Sequence, residues 1–423
     1  MLLERWQQIP PGLRDLLPDE TARVRAVSDR ILRQMARWGY REVTTPTLEY
    51  LEVLVHGEGT GAGDRLFKLV DRRGEVLALR PEMTTPVARL VATRLAGEPL
   101  PMRLAYAGQV FRGGESGSGR LREFPQVGCE LIGSRTPEAD AEIVALAVES
   151  LAAAGLEQFS VSLGHVGFLR EILAGLRLPE EEEAAVRALL YQKDFVGLRS
   201  LLEGHRAEPK SVRALLALPA LRGPAAITEA RRLVDTPDGQ NVVRDLSELQ
   251  GMLDAYGVGG AVTVDLSIIR DFDYYTGIVF EGHTTALGLP LLGGGRYDRL
   301  VGRFGAGQPA TGFAVRVERV LASGGAGKDT WAPDAVVAFA DGGRDAALAC
   351  ARDLRARALV VAVDVLDRPW EDVARDALAR GAGCAILVRG RSAVVRDSDG
   401  EREVTVADLG SLGPVRGGAS WRP

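Results

Sequence analysis

The first part of the chain carries a helical pattern followed by an alternating one. Apolar side chains recur every three or four positions from Asp19 to Trp38, which predicts an amphipathic helix that ends at Gly39. Residues 66–79 alternate between apolar and polar around Asp71–Gly74, which predicts a β-hairpin. A helix, a hairpin and their connections are therefore expected before residue 80.

The middle of the chain mixes strands with a long helical stretch. Residues 103–133 predict two strands joined by a glycine-rich loop, and residues 138–154 predict a helix. A helical pattern then continues from about 168 to 235, with another helix near 242–256. Strand patterns return after it, so the helical stretch is expected to be an insertion between strand-rich parts.

The C-terminal part has the pattern of a separate α/β module. Apolar strands alternate with helices in the order βαβαβ, which predicts a parallel sheet. The strands are predicted at 335–339, 359–365 and 384–388, and the helices near 344–356 and 370–380. We therefore expect domains at 1–322 and 334–410, a glycine-rich linker at 323–333 and a flexible tail at 411–423.

Composition narrows the class of protein. The chain has 423 residues, 46% hydrophobic and 26% charged, which suits two or three globular domains. Its apolar runs stay short of the ~20 residues of a membrane span, and its first residues lack a signal-peptide core. Three scattered cysteines and four histidines lack the spacing of a disulfide framework or a zinc site. A cytoplasmic protein without a metal or cofactor is the expectation.

Residues 270–282 interrupt an apolar pattern with a cluster of polar groups. One arginine, two aspartates and two tyrosines fall within six positions, and apolar residues lead in and out. Because an unpaired buried charge costs several kcal/mol, roughly, these groups are expected to face each other or a polar ligand. A hairpin with a structural ion pair explains the segment equally well.

Three further segments carry polar groups of a similar kind. Gln126 and Glu130 fall four apart on one face of a predicted strand. Carboxylates and amides that converge with tyrosines suit a small zwitterion with a polar ring. The residues alone indicate an amino-acid-like ligand, with satisfied surface or core pairs as the alternative. The segments are 80–85, 103–130 and 293–298.

Six segments along the chain carry recognisable motifs. They are Pro11–Pro18, Gly39–Glu42 with Pro46, Phe111–Arg112 with Arg120–Phe124, 270–281, 294–298 and Gly312–Arg319. They resemble, in this order, the N-terminal signature, motif 1, motif 2, the two histidine signatures and motif 3 of class II aminoacyl-tRNA synthetases, specifically histidyl-tRNA synthetase. The resemblance covers about 1–322 and, thinly, an anticodon-binding-like domain at 335–408. It implies an α+β fold: an antiparallel sheet core with a helical insertion, plus a small C-terminal α/β domain.

The resemblance assigns a nearly complete amino-acid pocket. Glu82 and Thr84 would hold the α-amino group of histidine, with Gln126 beside them. Glu130 and Tyr275 would bind the imidazole. Arg270, which matches the catalytic arginine of synthetases, and Tyr274 complete the expected histidine-binding set.

The nucleotide side of the same resemblance is degenerate. Synthetases have glycine where this chain has Met83, Asp271 and Arg316, and glutamate where it has Gly114. A long side chain at Arg316 would either block the nucleotide or require a partner elsewhere. Four departures at one subsite predict lost adenylation. Two arginines that would grip phosphates persist, which we interpret as ion-pair partners of nearby acids: Arg112 and Arg319.

This combination resembles a synthetase paralogue, the regulatory subunit family of short-form ATP phosphoribosyltransferase. That resemblance implies a non-catalytic protein that pairs with the short catalytic subunit, is required for its activity and takes part in histidine feedback inhibition of histidine biosynthesis. Histidine would be the ligand, and the motif 1-like region would form a dimer. A net charge of −5 and acidic residues at 371–372 argue against tRNA as a partner.

Other functions stay open at this point. The chain could be an active histidyl-tRNA synthetase with an unusual ATP site, or a ligase that loads an amino acid on another carrier. It could also be a scaffold whose pocket is a remnant. The sequence contains no sign of a second conformational state, so the allosteric step rests on the resemblance.

Overall fold

The computed structural model describes residues 4–58, 63, 66–113, 121–203, 208–268, 274–325, 332–340 and 342–411. The chain divides into two units, Met1–Asp329 and Thr330–Pro423. Part of the expected linker (326–331) and most of the expected tail (412–423) lie outside the described residues. Within the described ranges, each helix is too short or too polar to cross a membrane.

The larger unit combines helices with two sheets. Its helices are α1 (Pro18–Arg37), α2 (Leu51–Glu58), α3 (Thr84–Arg94), α4 (Pro137–Ala153), α5 (Val166–Leu176), α6 (Glu180–Gln192), α7 (Phe195–Glu203), α8 (Pro209–Ala217), α9 (Ala226–Leu233), α10 (Pro237–Ala255) and α11 (Val317–Ala322). Its strands are β1 (Arg41–Glu42), β2 (Leu48–Tyr50), β3 (Lys68–Val70), β4 (Val76–Leu79), β5 (Met102–Phe111), β6 (Glu123–Ile132), β7 (Ser160–His165), β8 (Val262–Val264), β9 (Ile278–Thr284), β10 (Leu287–Arg296) and β11 (Ala310–Arg316).

The described strands of this unit form an eight-stranded sheet in the order β1-β5-β6-β11-β10-β9-β7-β8 and a three-stranded sheet in the order β2-β4-β3. Pairing is antiparallel through the centre of the large sheet, from β5 to β7, and parallel at both edges. The helical stretch expected at 168–235 is present as α5–α9. The predicted α+β class is confirmed.

Strand β6 has two faces of different chemistry. Side chains alternate along a strand, so Val127, Cys129 and Leu131 point to one face and Gln126 and Glu130 to the other. The first three are buried in the main core, which also includes residues of α1 and α4. Because the apolar face is sealed by helices, the opposite face is the one that can present polar groups to a ligand.

Helix α1 shows how the sequence pattern becomes packing. Its buried positions, Val27, Ile31 and Met35, are four residues apart and are fully inaccessible to solvent. Pro18 occupies the first turn together with Asp19 and Glu20, whose negative charges favour a helix N-terminus. The amphipathic helix predicted from the sequence is confirmed.

In its described residues, the smaller unit contains a five-stranded sheet in the order β13-β12-β14-β15-β16 and two α-helices. The three parallel strands and both helices of the predicted βαβαβ unit are present. The sequence pattern did not predict the antiparallel hairpin formed by β15 and β16, because most of the residues of β16 are polar and exposed. The elements are β12 (Ala335–Ala340), α12 (Arg344–Ala356), β13 (Val361–Val363), α13 (Trp370–Ala379), β14 (Cys384–Arg389), β15 (Ser392–Asp397) and β16 (Gly400–Thr405).

A buried ion pair ties the end of β10 to the start of α4. The Arg296 Nε atom donates to Asp140 Oδ1 and Oδ2 at 3.1 and 3.0 Å, and both side chains are nearly inaccessible. Arg296 Nη1 also donates to Asp298 and to the carbonyl of Ser134. Burial raises the pKa of Asp140, and the Arg296 guanidinium opposes that rise. The side chain of Arg296 therefore has a structural role in the larger unit.

Replacing Asp140 by alanine is expected to destabilise the larger unit by about 3 kcal/mol, the lower end of the range for breaking a buried pair, because Asp298 still contacts Arg296. Denaturant unfolding measures this change. The control is Glu229→Ala, which removes an exposed pair with Arg232 on α9 and should cost less than about 0.5 kcal/mol. Equal effects of the two substitutions would contradict the structural role of Asp140.

Candidate functional site

Glu130 is a carboxyl group buried on the polar face of the large sheet. Only 1% of the residue is exposed. The Tyr106 hydroxyl on β5 donates to Glu130 Oε1 at 3.1 Å, and the Tyr297 hydroxyl, just after β10, donates to Oε2. The Thr84 hydroxyl at the start of α3 also hydrogen-bonds this carboxyl. Three elements therefore converge on one acidic group.

Burial decides the protonation of Glu130. It raises the pKa of the carboxyl to about 8, although the hydroxyls of Tyr297, Thr84 and Tyr106 favour the ionised form. The nearby carboxylate of Glu82 adds to the rise. At neutral pH the carboxyl of Glu130 is therefore largely protonated, and a cation or a strong hydrogen-bond donor can convert it to the ionised form.

Glycines on neighbouring strands make room for these side chains. Gly312 on β11 lies directly opposite Glu130, and a Cβ atom there would lie 1.8 Å from Glu130 Oε2. Gly128 lies opposite Tyr106, and its Cβ would lie 2.5 Å from the tyrosine hydroxyl oxygen. A side chain at either position would displace the groups that surround the carboxyl.

Glu82 forms the rim of the site at the N-terminus of α3. Its carboxylate accepts the backbone N–H groups of Thr84 and Thr85, the latter at 2.9 Å, and so caps the helix. A carboxylate offers about four acceptor positions, so positions remain for a ligand donor. The same helix start thus places one acidic group and the Thr84 hydroxyl beside Glu130.

Aromatic rings form a wall next to the carboxyl. Tyr274 stacks on Tyr297 with centroids 5.5 Å apart and meets Tyr275 edge-on at 4.8 Å. Arg170 Nη2 on α5 donates to the backbone carbonyl of Tyr275 at 2.8 Å, which anchors the segment. Burial, with a further contribution from Glu82, raises the pKa of Tyr274 well above its usual range. The wall is therefore neutral.

Gln126 lies on the same face of β6 as Glu130 and is 6% exposed. Its Oε1 atom is buried and finds no hydrogen-bond partner among the described residues. A buried amide oxygen without a partner costs about 1–3 kcal/mol, so a ligand or a bound water is expected to supply a donor.

Most of the residues that the motifs assign to histidine binding lie close together in the structure. Glu82, Thr84, Glu130 and Tyr274 are mutually close, and Tyr275 is in the same wall. Arg270 lies outside the described residues. The expected list omitted two tyrosines that hold the central carboxyl, Tyr106 and Tyr297. The histidine signature at 294–298 contains the second of these, whereas Tyr106 lies in a mostly apolar strand.

The nucleotide subsite, which the sequence predicts to be degenerate, contains contacts between the protein's own side chains. The guanidinium carbon of Arg316 lies 3.6 Å from the ring centroid of Phe124, and its Nε atom is 2.7 Å from Glu318 Oε1. Arg319 Nη1 donates to the carbonyl of Pro290 at 2.5 Å, and its Nε lies 3.9 Å from Glu318. The interpretation of Arg319 as an ion-pair partner therefore has a structural counterpart.

The remaining positions of that subsite differ in their surroundings. Arg112 has an exposed side chain, which lies 3.5 Å from the carbonyl of Pro81 and 5.6 Å from the Phe124 ring. Met83 is buried in the apolar cluster between α3 and the sheet. Gly114 and Asp271 lie outside the described residues. In the described part of the chain, acidic, cysteine and histidine side chains do not gather into a metal site.

Comparisons with known proteins find relatives along most of the chain. The family model for histidyl-tRNA synthetase matches residues 12–320. An ATP phosphoribosyltransferase regulatory subunit of Desulforamulus reducens is 40% identical over 391 residues, 91% of this chain and 97% of that protein. The protein of that name in Moorella thermoacetica is 44% identical over 377 residues, 88% and 96% of the two chains. This chain belongs to the family of ATP phosphoribosyltransferase regulatory subunits.

A solved structure agrees with that family. An ATP phosphoribosyltransferase regulatory subunit/histidyl-tRNA synthetase from Bacillus halodurans superposes with a TM-score of 0.81 at 36% identity. It covers 90% of this chain and 98% of its own length. The regulatory subunit family and the synthetase-like fold that the motifs predicted are both confirmed.

The ligand-free regulatory subunit is expected to lose stability between pH 7 and 9, and Glu130→Gln should reduce that loss. In the folded state the Glu130 carboxyl keeps its proton up to about pH 8, whereas in the unfolded chain it releases the proton at a lower pH. The proton that only the folded state binds stabilises that state, and this contribution is lost as the pH rises through about 8. The slope is at most about 1.4 kcal/mol per pH unit. His165 does not interfere, because burial lowers its pKa to about 4.

Thermal unfolding of the two proteins across this range measures the difference. The control is Glu149→Gln, which alters a glutamate that also accepts two side-chain hydrogen bonds, from Gln34 and Trp38, away from the site. It should keep the wild-type slope. An unchanged slope in Glu130→Gln would show that Glu130 is not the titrating group.

Proposed function

We propose that this chain is the regulatory subunit of a short-form ATP phosphoribosyltransferase. In this proposal it is required for the activity of a separate catalytic subunit and takes part in histidine feedback inhibition. It carries no adenylation activity of its own. The family membership and the buried, tyrosine-bound carboxyl of Glu130 support this function.

Glu130 is the observation that carries the assignment of histidine as the ligand. An imidazole N–H can donate to the buried carboxylate, whereas an apolar ring of similar size would leave it with only the hydroxyl donors of the protein. Sites built around such a group discriminate strongly against ligands that lack the donor. The rim carboxylate of Glu82 suits the α-ammonium group, and each charge-assisted hydrogen bond contributes about 1.5–3 kcal/mol.

Feedback inhibition requires that histidine bind differently in two states of the complex. Histidine then shifts the population toward the state it prefers, by no more than its difference in binding free energy. Coupling of this kind is typically about 1–3 kcal/mol. The regulatory subunit would supply the pocket, and the catalytic subunit would carry out the chemistry.

Isothermal titration is expected to detect histidine binding to the isolated chain, and Glu130→Gln should weaken it by about 10- to 150-fold. In complex with the catalytic subunit, the variant should still activate but need correspondingly more histidine for inhibition. The loss follows from replacing an ionisable acceptor by a neutral amide. Phosphoribosyltransferase assays over a histidine series measure the shift.

Glu149→Gln is the matched control and should keep wild-type binding and inhibition. Inhibition of the Glu130→Gln complex at the wild-type histidine concentration would rule out this pocket as the sensor. A wild-type chain that assembles and activates without binding histidine would instead be a scaffold with a remnant pocket.

An active histidyl-tRNA synthetase is the alternative function, favoured by the retained Arg112 and Arg319. Histidine-dependent exchange between ATP and pyrophosphate distinguishes the two. We expect no exchange above background from the purified chain, and robust turnover would replace the regulatory assignment by the synthetase one.

We also propose that the chain is cytoplasmic and forms a dimer through the motif 1-like region at α1 and β1. Exposed apolar residues of the adjoining small sheet, Leu48, Tyr50 and Leu69, support a contact on this side of the larger unit. Sedimentation velocity is expected to give twice the chain mass of 45.3 kDa, and a monomer would contradict the dimer.

A further inference from the structure

The face of Phe124 is occupied by a side chain of the same protein. The guanidinium carbon of Arg316 lies 3.6 Å from the centroid of the Phe124 ring, well inside the range of a cation–π contact. Glu318 holds this guanidinium at 2.7 Å, and the two side chains are only 14% and 10% exposed. Arg316 is therefore fixed by stacking on one side and by a carboxylate at its edge.

Two buried acceptors beside Arg316 have no hydrogen-bond partner among the described residues: Glu318 Oε2 and Gln126 Oε1. Gln126 lies directly opposite Arg316 in the pairing of β6 with β11. The guanidinium fills the stacking position but leaves acceptors at its margin unsatisfied. An aromatic face with spare acceptors around it has the chemistry to receive a flat heterocycle that bears an amino group.

We propose that Arg316 is the internal occupant of an adenine slot and closes the regulatory subunit to adenine nucleotides. The synthetase fold implies an ATP subsite here, and the residues present do not fit ATP, because the ring face on which a base would stack is taken. Entry of a base must break the Arg316–Phe124 and Arg316–Glu318 contacts together. It would then leave the buried carboxylate of Glu318 with only the longer contact to Arg319, whose Nε atom is 3.9 Å away, and the loss of the closer cation is costly.

The slot and the histidine pocket lie on one face of β6. Phe124 and Gln126 lie toward one end of that face, and Glu130 lies toward the other. This inference rests on the proposed function and deepens it, because it names the residue that separates amino-acid binding from nucleotide binding. Removing Arg316 should open the first site and leave the second unchanged.

Titration calorimetry with ATP and with adenosine tests the proposal on the full chain. The variants are Arg316→Ala and the double variant Arg316→Ala/Glu318→Gln, in which no buried carboxylate is left unpaired. The control is Arg244→Ala, which removes a 60% exposed arginine that pairs with neighbouring acids on α10. We expect the double variant to bind both probes at least about tenfold more tightly than the wild type or the control.

Histidine titration and the melting temperature report separately on the pocket and the fold. Wild-type binding of ATP as tight as that of the double variant would overturn the proposal. A folded double variant that gains no affinity for either probe would overturn it as well. If the wild-type protein does not bind histidine, by contrast, the proposed function is refuted. The titrations with ATP and adenosine would still test the role of Arg316 independently.

Discussion

The site depends on a carboxyl group buried on a β-sheet face, where the described side-chain donors to it are hydroxyl groups. Glu130 can occupy that position only because Gly312 lies opposite it, where any Cβ would collide with its Oε2 atom. Gly128 does the same for Tyr106, whose hydroxyl then reaches the carboxyl. The hydrogen bonds from the hydroxyl groups partly offset the free energy of burying the carboxylate. The part that they do not offset raises the pKa of Glu130.

One face of one strand therefore carries two opposite solutions to the problem of buried charge. Near Glu130 and Glu82 the described hydrogen-bond donors are neutral hydroxyl and backbone N–H groups, so a cationic or donor-bearing ligand would complete the arrangement. Near Phe124 the protein supplies its own cation, Arg316, and its own carboxylate, Glu318. In the proposed arrangement, a substitution on a single neighbouring strand would fill the nucleotide subsite of a synthetase-like sheet and leave the amino-acid subsite available.

Local patterns were sufficient for α1, the β3–β4 hairpin and the parallel strands of the smaller unit, because periodicity reports which side is buried. Motif resemblance supplied Glu82, Glu130 and Tyr274, which local patterns cannot connect. Arg296 lies within a histidine signature, yet it pairs with Asp140, 156 positions away. No local rule anticipates such a pair, nor the role of Tyr106, since both depend on strand order and register.

Glu82 belongs to the pocket and to the backbone of α3 at the same time. An ammonium group bound to its carboxylate would join the hydrogen bonds that begin the helix, so ligand binding would also stabilise that first turn. Farther along the helix, the Arg89 guanidinium pairs with Glu49 of β2 at 2.6 Å. Helix α3 therefore connects the carboxylate of the proposed pocket to the small surface sheet, through Glu82 at its start and Arg89 along its length.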